Sequence, residues 1–355
     1  MSSLMSRMLK AGSTSGAAIL TESSIFKTKD PVITQIPIIN IAFSGDVNGG
    51  LVSGLTIIAG DSKTFKSAFS LYCMKAYLDK YPEAISIFYD TEFGITESYI
   101  RSFDIDPARV VHIPVEHIEM LKFDMTKKLA ELKKGDRVFF FVDSIGQISS
   151  RKEVDDAVDE KSVADMTRAK AMRSLLRLVT IQLSTKDLPC IMVNHVYRTQ
   201  ELYAKTVIPG GTAVTYSANQ IFVLSKSQEK GADGELDGWN FTINVEKSRY
   251  VREKSKLPLL VLFDSGIQKY SGLLDIALES KRVIKPSNGW YSRVDDDGVV
   301  EDRKWRAKDT HTSEFWDKLL ASKSFNEWIG NRYKLANTSF STFEDEEDLD
   351  TESQS

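Results

Sequence analysis

A chain of 355 residues with 42% hydrophobic and 27% charged side chains has the make-up of a globular protein, with room for one large domain and a smaller one. Two cysteines, Cys73 and Cys190, lie inside apolar runs, which argues against a disulfide framework and for a reducing compartment; no apolar run approaches the roughly 20 residues that span a bilayer, and residues 11–20 are too rich in Ser, Thr and Gly for a secretory core. The net charge of −4 is unevenly placed: residues 344–355 hold seven acids and no base, so the rest of the chain is mildly basic and nucleic acid stays open as a partner.

In chain order, residues 1–30 carry Leu4, Met8 and Leu9 at helical spacing and then Ser, Thr and Gly, which predicts a short amphipathic helix and a tether. Strands and helices then alternate. Residues 55–59 (LTIIA) read as a buried strand, 66–80 as a helix, 84–89 (AISIFY) as a strand, 110–115 as a strand and 116–133 as a helix. The run 137–142 (RVFFFV) is almost wholly apolar, as expected of a central parallel strand covered on both faces. A long helix at 165–185 and a strand at 189–194 (PCIMVN) follow. This alternation predicts a mostly parallel, doubly wound α/β sheet. Strands at 220–224, 240–246 and 259–263, with few helical residues between them, predict an antiparallel extension, with a hairpin turn at 233–238 (DGELDG). Beyond Gly272 a small α/β module is expected: a helix at 273–280, a turn at Asn288-Gly289 and apolar helices around Trp316 and Trp328.

The chemistry concentrates where the first strand meets its helix. Gly60-Asp61-Ser62-Lys63-Thr64-Phe65-Lys66-Ser67 is a phosphate-binding loop, G-x-x-x-x-G-K-[ST], with Phe65 in place of the second Gly. Loop and helix N–H groups would face phosphates, Lys66 would neutralise β- and γ-phosphate charge, and Ser67 would ligand Mg²⁺. Asp143 ends a buried strand, where doubly wound sheets bind their ligands, and fits a carboxylate that holds Mg²⁺ through water. Glu92 follows the second strand at the same edge and fits the base that activates water. A chance match in a surface turn, an ordinary strand-ending Asp and a solvated loop acid are the bland alternatives. Three such elements in the right order make them the weaker reading.

The strings SKTFKS, FYDTEFGIT, DMTRAK, NVEKSR and SGLLDIALE resemble the UvsX family of phage recombinases, a branch of the RecA-class strand-exchange proteins, and the resemblance covers roughly residues 1–335. The Phe in the phosphate loop fits that family. The resemblance implies a RecA-type ATPase core over 31–270, a subunit-docking segment over 1–30 and a small duplex-handling domain over 271–335, while the stretch 336–355 falls outside it and is expected to be an acidic disordered tail. It implies that Glu92 activates water, that Tyr99 stacks on adenine and that His195, after Asn194, stands at a γ-phosphate sensor position. Lys247 and Arg249 would reach the ATP of a neighbouring subunit.

Two long segments, about 149–163 and 197–218, interrupt the core, and such segments are uncommon unless they work. The resemblance makes them the DNA-holding loops of a filament axis. The second carries Arg198, Lys205, Gly210 and Gly211, a sequence-tolerant set for a nucleic-acid backbone. Arg168 and Arg173 lie on the helix between the loops, and Arg173 matches a DNA-contacting arginine. The acids of the first segment, Glu153 to Glu160, are unaccounted for. The tail is expected to act either as a solubilising end or as a phosphate mimic. The expected protein is an ATP- and Mg²⁺-dependent recombinase in the host cytoplasm, filamentous on single-stranded DNA and pairing it with duplex, aided by a single-strand-binding protein and a recombination mediator, with no membrane role. A hexameric helicase motor, a non-catalytic DNA-binding mediator and a nucleotide-driven signalling ATPase are the alternatives.

Overall fold

The structure, a computed structural model, describes residues 3–12, 17–23, 30–159, 166–199, 206–231 and 234–335. The elements run α1 (Ser3–Ala11), α2 (Pro37–Ser44), β1 (Gly54–Gly60), α3 (Lys66–Lys80), β2 (Ile85–Asp90), α4 (Glu97–Arg101), β3 (Val110–Pro114), α5 (Ile118–Glu131), β4 (Val138–Asp143), α6 (Arg151–Val158), α7 (Thr167–Lys186), β5 (Pro189–Asn194), β6 (Tyr197–Arg198), β7 (Thr206–Val207), α8 (Gly211–Ser217), β8 (Gln220–Lys230), β9 (Leu236–Lys247), β10 (Lys256–Leu262), β11 (Gly266–Ile267), α9 (Leu273–Glu279), β12 (Val283–Ser287), β13 (Trp290–Arg293), β14 (Trp305–Arg306), α10 (Ser313–Ala321) and α11 (Lys323–Tyr333).

Among the described residues, nine strands form one sheet in the order β11-β10-β9-β8-β1-β5-β4-β2-β3. From β8 to β3 all pairings are parallel, and β8 to β11 are antiparallel. The expected α/β architecture, parallel core and antiparallel extension together, is what forms. Strand periodicity sorts the core onto the two faces. Phe139 and Phe141 join α2, α3 and the C-terminal helices on one side. Phe140 and Val142 join α5, α7 and α8 on the other. Because both faces are covered, β1, β4 and β5 are buried at every position.

The C-terminal module adds a small antiparallel sheet, β12-β13-β14, and shares the first core through Phe315, Trp316, Phe325 and Ile329. Its organiser is Arg293, 9% exposed, which makes two bonds to Glu301 at 2.6 and 2.8 Å and lies 4.7 Å from the Trp305 ring centre.

Several boundaries and elements differ from expectation. α2 was not anticipated: every residue from 37 to 43 is buried, so it shows no amphipathic period. The two long segments contain structure of their own. α6 lies in the first, started by a capping box between Ser150 and Glu153. A β6–β7 ladder and α8 lie in the second. Part of the first segment's acidity is thereby explained, since Glu153 caps the helix and Asp156 pairs with Lys152. The hairpin bend comes earlier than expected. Gly238 is inside β9, where a side chain would meet the Val261 carbonyl at 2.3 Å.

Candidate functional site

β1 ends at Gly60 and α3 begins at Lys66, so the phosphate loop is the strand-to-helix turn. A Cβ on Gly60 would lie 2.5 Å from Thr64 Oγ1 and 2.6 Å from the Leu224 carbonyl, so only glycine fits. Thr64 Oγ1 and Lys66 Nζ both donate to the Asp61 carbonyl, at 2.8 and 2.6 Å, which closes the loop into a cup. Lys63 and Phe65 take left-handed backbone angles, φ 58° and 69°. The Phe65 ring is accommodated between two near-parallel neighbours, Phe241 at 5.1 Å and Tyr72 at 6.2 Å.

Ser67 Oγ donates to Asp143 Oδ2 at 2.5 Å. Burial pushes the Asp143 carboxyl up to about 6. The charges of Glu92 and Asp90 add to the rise, against the Ser67 bond and Lys66. Burial also lowers Lys66, more than the attraction of Asp143, Glu92 and Asp61 raises it. A buried carboxylate touching a hydroxyl, beside a buried ammonium, is a donor set that suits a hard divalent cation and phosphate oxygens. ATP with Mg²⁺ fits the residues present.

Glu92 is held from both sides. Its Oε1 accepts from Ser144 Oγ at 2.5 Å and lies 2.8 Å from His195 Nε2. Burial alone would raise this carboxyl. The Ser144 and His195 bonds and the charges of His195 and Lys66 outweigh it, so the group stays below its ordinary range. The loop carrying Glu92 is fixed from beneath. Asp90 Oδ1 accepts the N–H groups of Glu92 and Phe93 at 3.1 and 2.7 Å, and Thr91 Oγ1 donates to the Ser144 carbonyl at 2.8 Å. Asp90 and Asp143 are register partners on β2 and β4, which is why the two loops meet.

Asn194 ends β5 and its amide donates to the Pro209 carbonyl at 2.9 Å, tying the site to the second long segment. Tyr99, on α4, is 40% exposed and meets Phe103 edge-on at 5.1 Å.

The structure brings Lys66, Ser67, Asp143, Glu92 and His195 together and keeps Lys247 and Arg249 apart from them. Lys247 pairs with Ile221 of β8, while Gly60 pairs with Leu224, three residues further along. Lys247 therefore lies about 10 Å toward the other end of the sheet, two strands away. Its ammonium donates to the Thr215 and Ala218 carbonyls at 2.5 and 2.7 Å, and burial lowers it, with the Arg249 charge adding to the fall. Arg249 is exposed and lines a groove of about 790 Å³ with Arg173, Arg177 and Tyr216.

Of the predicted nucleic-acid residues, Arg173 and Arg198 are exposed, and Gly210 and Gly211 sit at the start of α8 with φ 96° and 57°. Arg168 points inward: Nε donates to the Ile148 carbonyl at 2.7 Å and Nη2 to the Gly146 carbonyl, so it braces the loop after β4. Lys205 and the acidic tail lie outside the described residues. Sequence reasoning missed Ser144, Thr91 and Asp90. The adjacent strand-end pairs Asp90-Thr91 and Asp143-Ser144 were the available signal.

Comparison with known proteins decides the family. The family described as "Bacteriophage T4, Recombination and repair protein, C-terminal domain" matches residues 270–329. The recombination and repair protein of Enterobacteria phage T4 is 49% identical over 340 residues, covering 94% of this chain and 87% of that one. The chain belongs to the phage T4 recombination and repair protein family. More distant similarity extends to protein RecA of Borreliella burgdorferi, 21% identical over 74% of this chain and 71% of that one. It also extends to the chloroplastic DNA repair protein recA homolog 1 of Arabidopsis thaliana, 22% identical over 81% of this chain and 61% of that one. Residues 270–329 coincide with the C-terminal module, from just before α9 into α11. Among the described residues of this family member, no helix is long and apolar enough to cross a membrane.

Proposed function

We propose that this recombinase is a DNA-dependent ATPase whose nucleotide is held at a seam between two subunits of a filament on single-stranded DNA. Bound ATP with Mg²⁺ supplies the phosphoanhydride whose hydrolysis releases free energy. The chain's own residues do the rest. The loop N–H groups and Lys66 grip the phosphates, Ser67 and Asp143 hold the cation, and Glu92 orients the attacking water and takes its proton. His195 stands beside Glu92, and with Asn194, bonded to Pro209, it carries occupancy of the site to the second long segment, which with Arg173, Arg198, Lys205, Gly210 and Gly211 holds DNA. Lys247 and Arg249 serve the neighbouring subunit's nucleotide. The exposed Leu4 and Met8 of α1 dock on an adjacent copy. A single-strand-binding protein and a recombination mediator assist in the host cytoplasm.

The observation that carries this reading is the Glu92 carboxylate held between Ser144 and His195, one residue from the Asn194–Pro209 bond. The test is ATP hydrolysis and strand exchange with and without single-stranded DNA. DNA-stimulated turnover that is lost in Glu92→Gln, with ATP binding retained, supports it. Equal turnover with and without DNA overturns it.

A further inference from the structure

The phosphate loop of this chain contains a residue whose placement the ATP reading does not require. Phe65 stands where the loop pattern has glycine, in the left-handed region at φ 69° and ψ 10°. A side chain there is disfavoured by the backbone, and glycine would occupy the position freely. The ring is nevertheless half-buried and packed against the core. It lies near-parallel to Phe241 on β9, at 26° and 5.1 Å, and near-parallel to Tyr72 on α3, at 30° and 6.2 Å. Tyr72 meets Phe103 edge-on at 5.0 Å, and Phe103 meets Tyr99 edge-on at 5.1 Å. One unbroken row of five rings thus runs from the sheet, through the loop, to the residue placed at the base of the nucleotide. Offset and edge-on ring pairs of this kind hold preferred geometries and resist independent movement.

We infer that Phe65 is a positioning residue that fixes the phosphate loop to the Tyr99 wall, so that the grip on phosphate and the grip on the base are set as one unit. This rests on the ATP site proposed above and deepens it by assigning base recognition to a loop residue that does not touch the base. Without the ring, the loop keeps its N–H groups, Lys66 and Ser67, and so keeps its hold on phosphate. Tyr72, Phe103 and Tyr99 lose their anchor, so the base end is no longer registered against the loop.

The experiment measures binding of Mg²⁺-ATP and of Mg²⁺-tripolyphosphate, which has no base, to the full chain. Wild type is compared with Phe65→Gly, Phe65→Tyr and Tyr72→Leu, each checked for folding by its thermal melt. The expected result is a fall of about tenfold in ATP affinity for Phe65→Gly, tripolyphosphate affinity staying within about twofold. Phe65→Tyr keeps the row and retains ATP affinity. Tyr72→Leu cuts the row at the next link, leaves the loop sequence intact and reproduces the selective loss. Equal losses for both ligands, or no loss for either, in folded Phe65→Gly or Tyr72→Leu would overturn the inference. Wild type that binds neither ligand would instead refute the ATP site itself.

Discussion

Two donors converge on one oxygen of Glu92, one from the residue after β4 and one from the residue after β5. Ser144 Oγ and His195 Nε2 both reach Oε1. A hydrogen bond to an ionised carboxylate is worth about 1.5–3 kcal/mol, which corresponds to a rate factor of roughly 10–100 if it is needed to place the base. Ser144→Ala should therefore lower turnover by about ten- to a hundredfold and leave ATP affinity nearly unchanged. The sign of the pH effect follows from the same bond. It favours the charged form and holds the Glu92 carboxyl down, so its loss lets burial raise the group. The acid limb of the turnover–pH profile should move to higher pH in Ser144→Ala. A limb that stays put, or a loss confined to affinity, would show that Ser144 does not hold the base. Glu92 drew attention because it follows β2 at the edge of the sheet where the phosphate loop and Asp143 also lie. Ser144 was not, because a serine after a strand is commonplace and its partner lies 52 residues away.

At the scale of elements, the inner strands were legible and the short polar elements were not. β5 begins and ends where the apolar run does. β8 and β9 run further than their apolar parts, because their outer ends project as an exposed hairpin that needs only backbone pairing. α6 and α8 look like loop sequence, since a helix of seven or eight residues carries too few turns to show a period. The C-terminal module, expected from Trp316 and Trp328, turns on an interaction that composition hides, the Arg293–Glu301 pair. The Arg293 bonds hold the Glu301 carboxyl below its ordinary 4.5, against the opposing effect of burial. A depressed carboxyl contributes stability above pH 4.5 and loses it as pH falls through the lowered value. Four of the five tryptophans lie at 290 and beyond, so tryptophan emission reports this module. Glu301→Gln should be less stable than wild type at neutral pH in urea titrations followed by that emission. The gap should narrow as pH drops below 4.5. A gap that is constant with pH would mean that the pair contributes packing alone.

Over the whole molecule, the register of the sheet separates two halves of the chemistry. Gly60 is level with Leu224 and Lys247 with Ile221, so one chain's Arg249 and its own phosphate loop face different ends of the sheet. If Arg249 serves a nucleotide, that nucleotide belongs to another copy, in a head-to-tail arrangement that repeats along a filament. The alternative is that Arg249 works with Arg173, Arg177 and Tyr216 in their shared groove and serves DNA in its own subunit. Mixing separates the two. Glu92→Gln subunits lack the base but keep Arg249, and Arg249→Ala subunits have the reverse. Each alone should turn over ATP poorly on single-stranded DNA. If the cation acts across the seam, a random equal mixture places an intact Glu92 opposite an intact Arg249 at about a quarter of the seams, and DNA-stimulated turnover should recover to about that fraction of wild type. If Arg249 acts within its own subunit, no seam in the mixture is complete and nothing is recovered. DNA affinity gives the second reading of the same variants. A cation spent on the neighbouring nucleotide leaves the salt dependence of single-strand binding without ATP unchanged in Arg249→Ala, whereas removing a cation that holds a DNA phosphate in the groove lowers its slope by about 0.7.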